Sequence, residues 1–336
     1  MLPGHHAADP QVRLAAAVTW ARWPPPWTLD DTSMDNDETT MDNDDTWSSV
    51  MTDVGVRPAA ISDLAAIAAV TAATDQHDLW GGSNPAYIQH LLDVGRVVVA
   101  ELAGAVAGFG AVQQIGTGPD AISMLCDLFV RPDAHGRGCG RAMLADLWST
   151  APRRMTFSSL HSHAAPLYTS FGLDAWWPLL YLHGDPARLP VINEWAIEPA
   201  SAHQVARYEL EWTRTDRAAD HRAWAARPAG ESILVSDDDE VIAAGTVISR
   251  GPDRGIVHLA VSPAADDGVA AGVVLQTLAQ LQGPAEQRAH VCLPAPHPAV
   301  RALLAAGWQF DEFDLFMASE PGLLDPRRAV PSPGQA

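Results

Sequence analysis

The chain has 336 residues, 47% of them hydrophobic, and a formal net charge of -20 from 41 acidic and 21 basic side chains. Every one of those bases is arginine, which excludes mechanisms that need a lysine, Schiff-base chemistry and the P-loop lysine among them. So negative a balance argues against nucleic acid or anionic membrane as a partner, and fits either a cationic substrate or an ordinary acidic soluble protein.

The length is enough for about two domains. Cys126, Cys139 and Cys292 follow no recurring spacing, so neither a disulfide framework nor a zinc site is expected, and a reducing cytoplasm is the expected compartment. No apolar run approaches the ~18 residues of a membrane span. Leu14 to Ala21 is short and flanked by Arg13 and Arg22, a poor signal peptide.

Residues 1–53 differ from the remainder. Nine acids and no base lie between Asp30 and Asp53, and "MDND" occurs at Met34 and again at Met41. Such a segment cannot bury enough apolar surface to offset its ordering entropy, so an acidic disordered extension is expected. Met34, Met41 and Met51 each offer an alternative start, so part of this segment need not belong to the natural protein.

From Val54 the pattern is globular. "VGVRP" reads as a strand, and "AISDLAAIAAVTAATD" as a helix with Ser62 at its N-cap. A second helix is expected over Pro85–Asp93. "RVVVAEL" and "AVAGFGAVQQ" then form a hairpin across Ala103-Gly104. "AISMLCDLFV" is the next strand, and a helix opens on the glycines of "HGRGCGRAML". A strand ("MTFSSL"), a short helix ("HAAPLYTSF") and a last strand ("PLLYLHG") complete the series.

Much of this order recurs after "GDPARLP". "ILVSDDDEVIAAGTVIS" repeats the hairpin, with Ala244 on Gly108. "IVHLAVSPAADDGVAAGVVLQTL" repeats the strand, loop and helix, with Val269 on Gly138 and Ala271 on Gly140. "HPAVRALLAAGW" repeats the short helix, with Gly307 on Gly172. Three segments in one order imply a duplicated fold whose units are whole domains.

A glycine-rich turn between strand and helix presents backbone N–H groups at the positive end of the helix, a ready anion site; alternatively it only turns a corner. A P-loop is excluded for want of lysine. A dinucleotide fingerprint starting at Gly138 would need glycine or alanine where Met143 stands, and would open a parallel βαβ unit.

The run "DLFV", Arg131-Pro132 and "HGRGCGRAML" resembles the acyl-coenzyme A loop of the GCN5-related N-acetyltransferase (GNAT) superfamily. Gly138 and Gly140 match that loop's glycines, while His135 replaces its arginine or glutamine. "AAPLYTSFGL" resembles the family's second signature through Ala164, Leu167, Tyr168 and Gly172, with Leu173 in place of a phenylalanine. The resemblance implies an α+β fold of two tandem GNAT-like domains, each a mixed, mostly antiparallel sheet flanked by helices. It divides the chain into the extension 1–53, a catalytic domain 54–185, a degenerate domain 186–320 and a disordered tail 321–336.

It further implies an acetyl-coenzyme A-dependent N-acetyltransferase, without metal, moving an acetyl group directly to a primary amine on a small molecule or peptide. The alternative is an acyl-coenzyme A-binding sensor without turnover. Backbone groups of Leu128, Phe129 and Val130 would pair with the pantetheine arm. Those of His135, Gly136, Arg137, Gly138, Cys139, Gly140 and Arg141 would hold the pyrophosphate. Tyr168 would protonate the departing thiolate, a role a phenol can fill at neutral pH. Asp127 would take the proton of the incoming ammonium, or is a strand-edge acid without a role; His161 and His163 are the other candidate bases. Cys139 reads as packing.

In the second copy Asp266-Asp267 precede the helix and Leu303 falls on Tyr168. Carboxylates there would satisfy the helix amides and repel a diphosphate. A non-catalytic twin is therefore expected, paired with the first domain and shaping the acceptor pocket. The tandem arrangement is similar to that of mycothiol synthase. That resemblance would put the working site in the C-terminal copy, so its substrate is not carried over. Arg214–Trp224 reads as a solvated helix face, or as pocket lining.

Overall fold

The computed structural model describes residues 54–74, 85–116, 118, 121–251, 254–281, 283–284 and 288–334. The extension 1–53 and most of the segment between the first two helices lie outside the described residues.

The first half is a meander of β1 (Gly55–Pro58), β2 (Gly95–Leu102), β3 (Ala105–Ile115) and β4 (Ile122–Val130), each antiparallel to the last. The helices α1 (Leu64–Ala73) and α2 (Pro85–Val94) precede β2. The β2–β3 turn sits on Ala103 and Gly104, both at positive φ (51° and 79°), the geometry whose twist suits a two-residue hairpin. Next come α3 (Cys139–Leu147), β5 (Arg153–Ser158), which is parallel to β4, α4 (Ala164–Thr169) and β6 (Asp174–Gly184).

The second half repeats the plan. β7 (Ala196–Ala200), β8 (Gly230–Asp237), β9 (Glu240–Ile248) and β10 (Gly255–Val261) form the meander, with α5 (Ala202–Thr213) and α6 (Ala218–Ala225) between β7 and β8. Then come α7 (Asp267–Gln280), β11 (Ala289–Pro294) parallel to β10, α8 (Ala299–Ala305), β12 (Gln309–Ala318) and a short β13 (Ala329–Val330).

The two halves share one sheet because they exchange their last strands. Its order is β1-β2-β3-β4-β5-β12-β6-β11-β10-β9-β8-β7, with β13 on β10. β12 pairs with β5 of the first half, β6 pairs with β11 of the second, and β6 and β12 pair with each other. The cores follow the same exchange. Phe316 and Ala318 of β12 pack with Ile122, Met124 and Met155, and Met317 joins the cluster around Trp148 and Tyr168. Leu180 and Leu182 of β6 belong to the core built on α7 and α8.

Three expectations are corrected. A 3-10 turn over Ile61–Asp63 precedes α1, and Asp63, not Ser62, caps it: its carboxylate accepts from the Ala60 amide at 2.8 Å and binds Arg57. Residues 321–334, expected to be disordered, are ordered, because β13 pairs with β10 and Val330 is fully buried. Arg214–Trp224 is not a solvated face: Arg217, Asp220, His221 and Trp224 are all buried.

Those buried residues tie the halves together. Glu209 of α5 takes His221 Nε2 at 2.7 Å, His258 Nε2 at 2.8 Å and Arg217 Nε at 3.3 Å. Asp220 takes His90 Nε2 and Gln113 Nε2, both from the first half and both at 2.7 Å. These ligands and the Arg217 charge hold the Glu209 carboxyl well below the usual carboxylate range despite its burial. The stability it contributes is therefore present above the ordinary glutamate pKa of 4.5 and lost as pH falls toward the depressed folded value. Glu209→Gln removes one of the two carboxylates that face buried Arg217, leaving Asp220 at 3.4 Å as the other, and one of the oxygens that take His221 and His258. It is expected to cost about 3 kcal/mol in urea unfolding at pH 7. A loss below about 1 kcal/mol would show that the network is not structural.

Candidate active site

β4 and β5 are paired only from Ile122↔Arg153 to Leu125↔Thr156. A bulge at Cys126 follows: Leu125 faces Val112 and Asp127 faces Ala111, so Cys126 has no opposite residue on β3. Bulges add twist and re-aim side chains, and here β4 turns away from β5. The separation opens a cavity of about 1450 Å³. Leu128, Phe129 and Val130, the end of β4, line it.

The glycine loop follows β4. Gly136 has φ +74° and Gly138, the N-cap of α3, φ +86°; both need glycine for the left-handed backbone, though space around them is open. The loop thus carries the backbone to the start of α3 along the cavity wall, which Gly136, Gly138 and Gly140 all line. His135 also lines it, its Nε2 2.8 Å from the Val130 carbonyl oxygen, and forms an edge contact with His161, itself beside His163. Cys139 is buried in the core and burial raises its thiol pKa, as its packing role requires.

Tyr168 of α4 is 7% exposed, edge-on to Trp148, and lines the same cavity. Burial, then the nearby Asp314 and Asp127 charges, push its phenol pKa well above the ordinary value of 10. It stays protonated, a donor held in a largely dry place. Asp127 lines this cavity too, 7% exposed. Asp314, which sequence reading missed, comes from β12, and the Tyr181 hydroxyl of β6 donates to it at 2.5 Å. Asp311 and Glu312 join it on the cavity wall. Only the strand exchange brings these residues to Tyr168; the single hint in the sequence is the acidic run in "FDEFDLF".

The second copy keeps the frame and changes the contents. β10 has its own bulge at Val257, the counterpart of Cys126. Asp266 caps α7, accepting from the Val269 amide at 2.9 Å, and Asp267 binds Arg327 and Arg328. Leu303, the counterpart of Tyr168, is core.

Residues 93–172 match the acetyltransferase (GNAT) domain family. The chain is similar to that family over this stretch. Its architecture is that of solved GNAT structures. A protein of Pyrococcus horikoshii provisionally described as an acetyltransferase is 13% identical, with TM-score 0.63 over 84% of this chain and 96% of that one. A GCN5-related N-acetyltransferase of Anabaena variabilis is 13% identical, with TM-score 0.55 over 79% and 72%. One from Kribbella flavida is 15% identical, with TM-score 0.54 over 83% and 74%. At such identities the likeness shows the fold alone. No curated protein matches the chain. Among the described residues no helix is long and apolar enough to cross a membrane.

The GNAT loop offers a direct comparison with its twin, because Gly136 stands where the second copy has Asp267. Gly136→Asp is expected to weaken coenzyme A binding at least 10-fold relative to Gly136→Ala by titration calorimetry, since both variants carry the strain of a left-handed backbone and only one carries the charge. Equal affinity of the two variants would remove this loop from diphosphate binding.

Proposed function

We propose that the chain is an acetyl-coenzyme A-dependent N-acetyltransferase that works through its N-terminal GNAT domain. The observation that carries this reading is the convergence of the open β4 edge, the glycine loop, Tyr168 and Asp127 on one cavity. In this reading the backbone of Leu128 to Val130 pairs with the pantetheine arm, and the amides from His135 to Arg141 hold the pyrophosphate at the positive end of α3.

Transfer needs a neutral amine, an oriented carbonyl and a proton for the departing sulfur. Asp127, directly or through a water, takes the ammonium proton. The amine nitrogen then bonds to the acyl carbon, the carbon–sulfur bond breaks, and Tyr168 gives its proton to the sulfur; the nitrogen sheds its surplus proton as the amide forms, which restores the phenol through solvent. A protonated phenol in the cavity is of no use to a protein that only carries the ligand, and this favours turnover over sensing. The carboxylates Asp127, Asp311, Glu312 and Asp314 favour an acceptor that arrives as a cation, a primary amine on a small molecule or peptide.

Tyr168→Phe is expected to lower kcat about 100-fold with the KM for acetyl-coenzyme A nearly unchanged. Because the phenol pKa lies above 10, the wild-type rate should show no fall attributable to Tyr168 up to pH 10. Turnover of Tyr168→Phe equal to wild type would sink the proton-donor role.

A further inference from the structure

The second half has a ligand of its own, and it is a piece of this chain. On the alignment of the two copies, Leu128, Phe129 and Val130 correspond to Leu259, Ala260 and Val261. In the first half that strand edge faces the cavity. In the second half it is covered: Leu259 pairs with Val330, Ala260 with Ala329, and the Val261 amide donates to the Arg328 carbonyl at 2.9 Å. The segment therefore runs along the edge that the GNAT domain leaves open.

Charge at the neighbouring helix is inverted to match. Where the first half has Gly136, the second has Asp267, and Arg327 and Arg328 both bind that carboxylate, the latter at 2.9 Å. They drive its pKa far down. Arg328 also donates to the Ala265 carbonyl at 3.0 Å, and Arg327 to the Pro296 carbonyl at 3.4 Å. Where the first copy offers helix amides to an anion, the second offers a carboxylate to two cations.

Beyond β13 the segment enters the cavity described above. Ser332 is buried, Pro333 and Gly334 line the wall, and the Gly334 carbonyl accepts from the Tyr87 hydroxyl of α2 at 3.1 Å. A Cβ on Gly334 would lie 2.8 Å from that hydroxyl, so the approach is close.

We propose that the second half is a peptide-binding site for the chain's own segment Asp325–Gly334, and that this segment, held there, sets which amines reach the GNAT domain. The recognition is strand addition on β10 plus an arginine pair on Asp267. The degenerate copy is thus a docking module for an extended basic peptide whose end walls its neighbour's cavity beside Tyr87. The second clause rests on the amine-transfer reading; the first does not.

The test separates the two. In a chain lacking residues 325–336, a fluorescent peptide of that sequence should bind saturably, and at least 10-fold more weakly when both its arginines are serine. Equal binding of the two peptides, or none, would overturn the site. Should the shortened chain fail to fold, full-length Arg327→Ser/Arg328→Ser read by hydrogen exchange decides. The Val261 amide should exchange at least 10-fold faster than in wild type, and an unchanged rate overturns the proposal. For the acceptor clause, the ratio of kcat/KM between a bulky and a small primary amine should shift at least 10-fold on deletion and return when the peptide is added. The same ratio with and without the segment would overturn that clause. Absence of turnover with every amine in the intact chain would overturn it together with the transfer reading, while the binding result stood.

Discussion

The exchange of β6 and β12 is the constraint on which the rest of the molecule depends. Each half is a sheet that stops one strand short, and each borrows that strand from the other. Phe316 and Met317, 2% and 1% exposed, are buried in the first half's core although the chain reaches them last. Burial of side chains of this size is worth about 1.5–3 kcal/mol each, so the first half would lose several such contributions without β12. The Glu209–Asp220 network adds a polar tie, since His90 and Gln113 reach across to Asp220. The borrowed strand also carries chemistry, for Asp314 acts on the Tyr168 phenol from β12.

Duplication followed by divergence explains the contrast between the halves. The bulge, the parting of the parallel strands and the loop-to-helix step are matters of backbone twist, and both copies retain them. Loop contents are a matter of ligand. Glycines with positive φ keep one loop open, whereas Asp266 and Asp267 turn the other toward its own helix and toward two arginines. A groove suited to an extended thin ligand suits an extended peptide too, because both satisfy a strand edge with alternating donors and acceptors.

Local features were legible in the sequence. Hairpin, meander, glycine loop and the repeat of all three are encoded over a few residues each, by apolar alternation and turn chemistry. Tyr168 and Asp127 were legible for the same reason, since each sits beside a recognisable motif, and the structure brings both to one cavity. What was hidden is long-range. Nothing near "FDEFDLFMA" tells that this strand completes the other half, so Asp314 and Tyr181 went unseen. "RTDRAADHRAW" looks solvated because it is charged, and only the spatial convergence of Glu209, His221, His258 and Arg217 lets those charges be buried together. "DPRRAVPSPG" reads as a polar tail because its partner strand lies far back in the sequence.

Native-state hydrogen exchange across the β5–β12–β6–β11 ladder tests the strand exchange most directly. If the two halves complete each other, amides of all four strands open together, at one free energy and with one denaturant dependence. If instead β12 opens with β10 and α7 while β5 stays closed, each half stands on its own. The account of a shared sheet, and of a site built by both halves, would then be wrong.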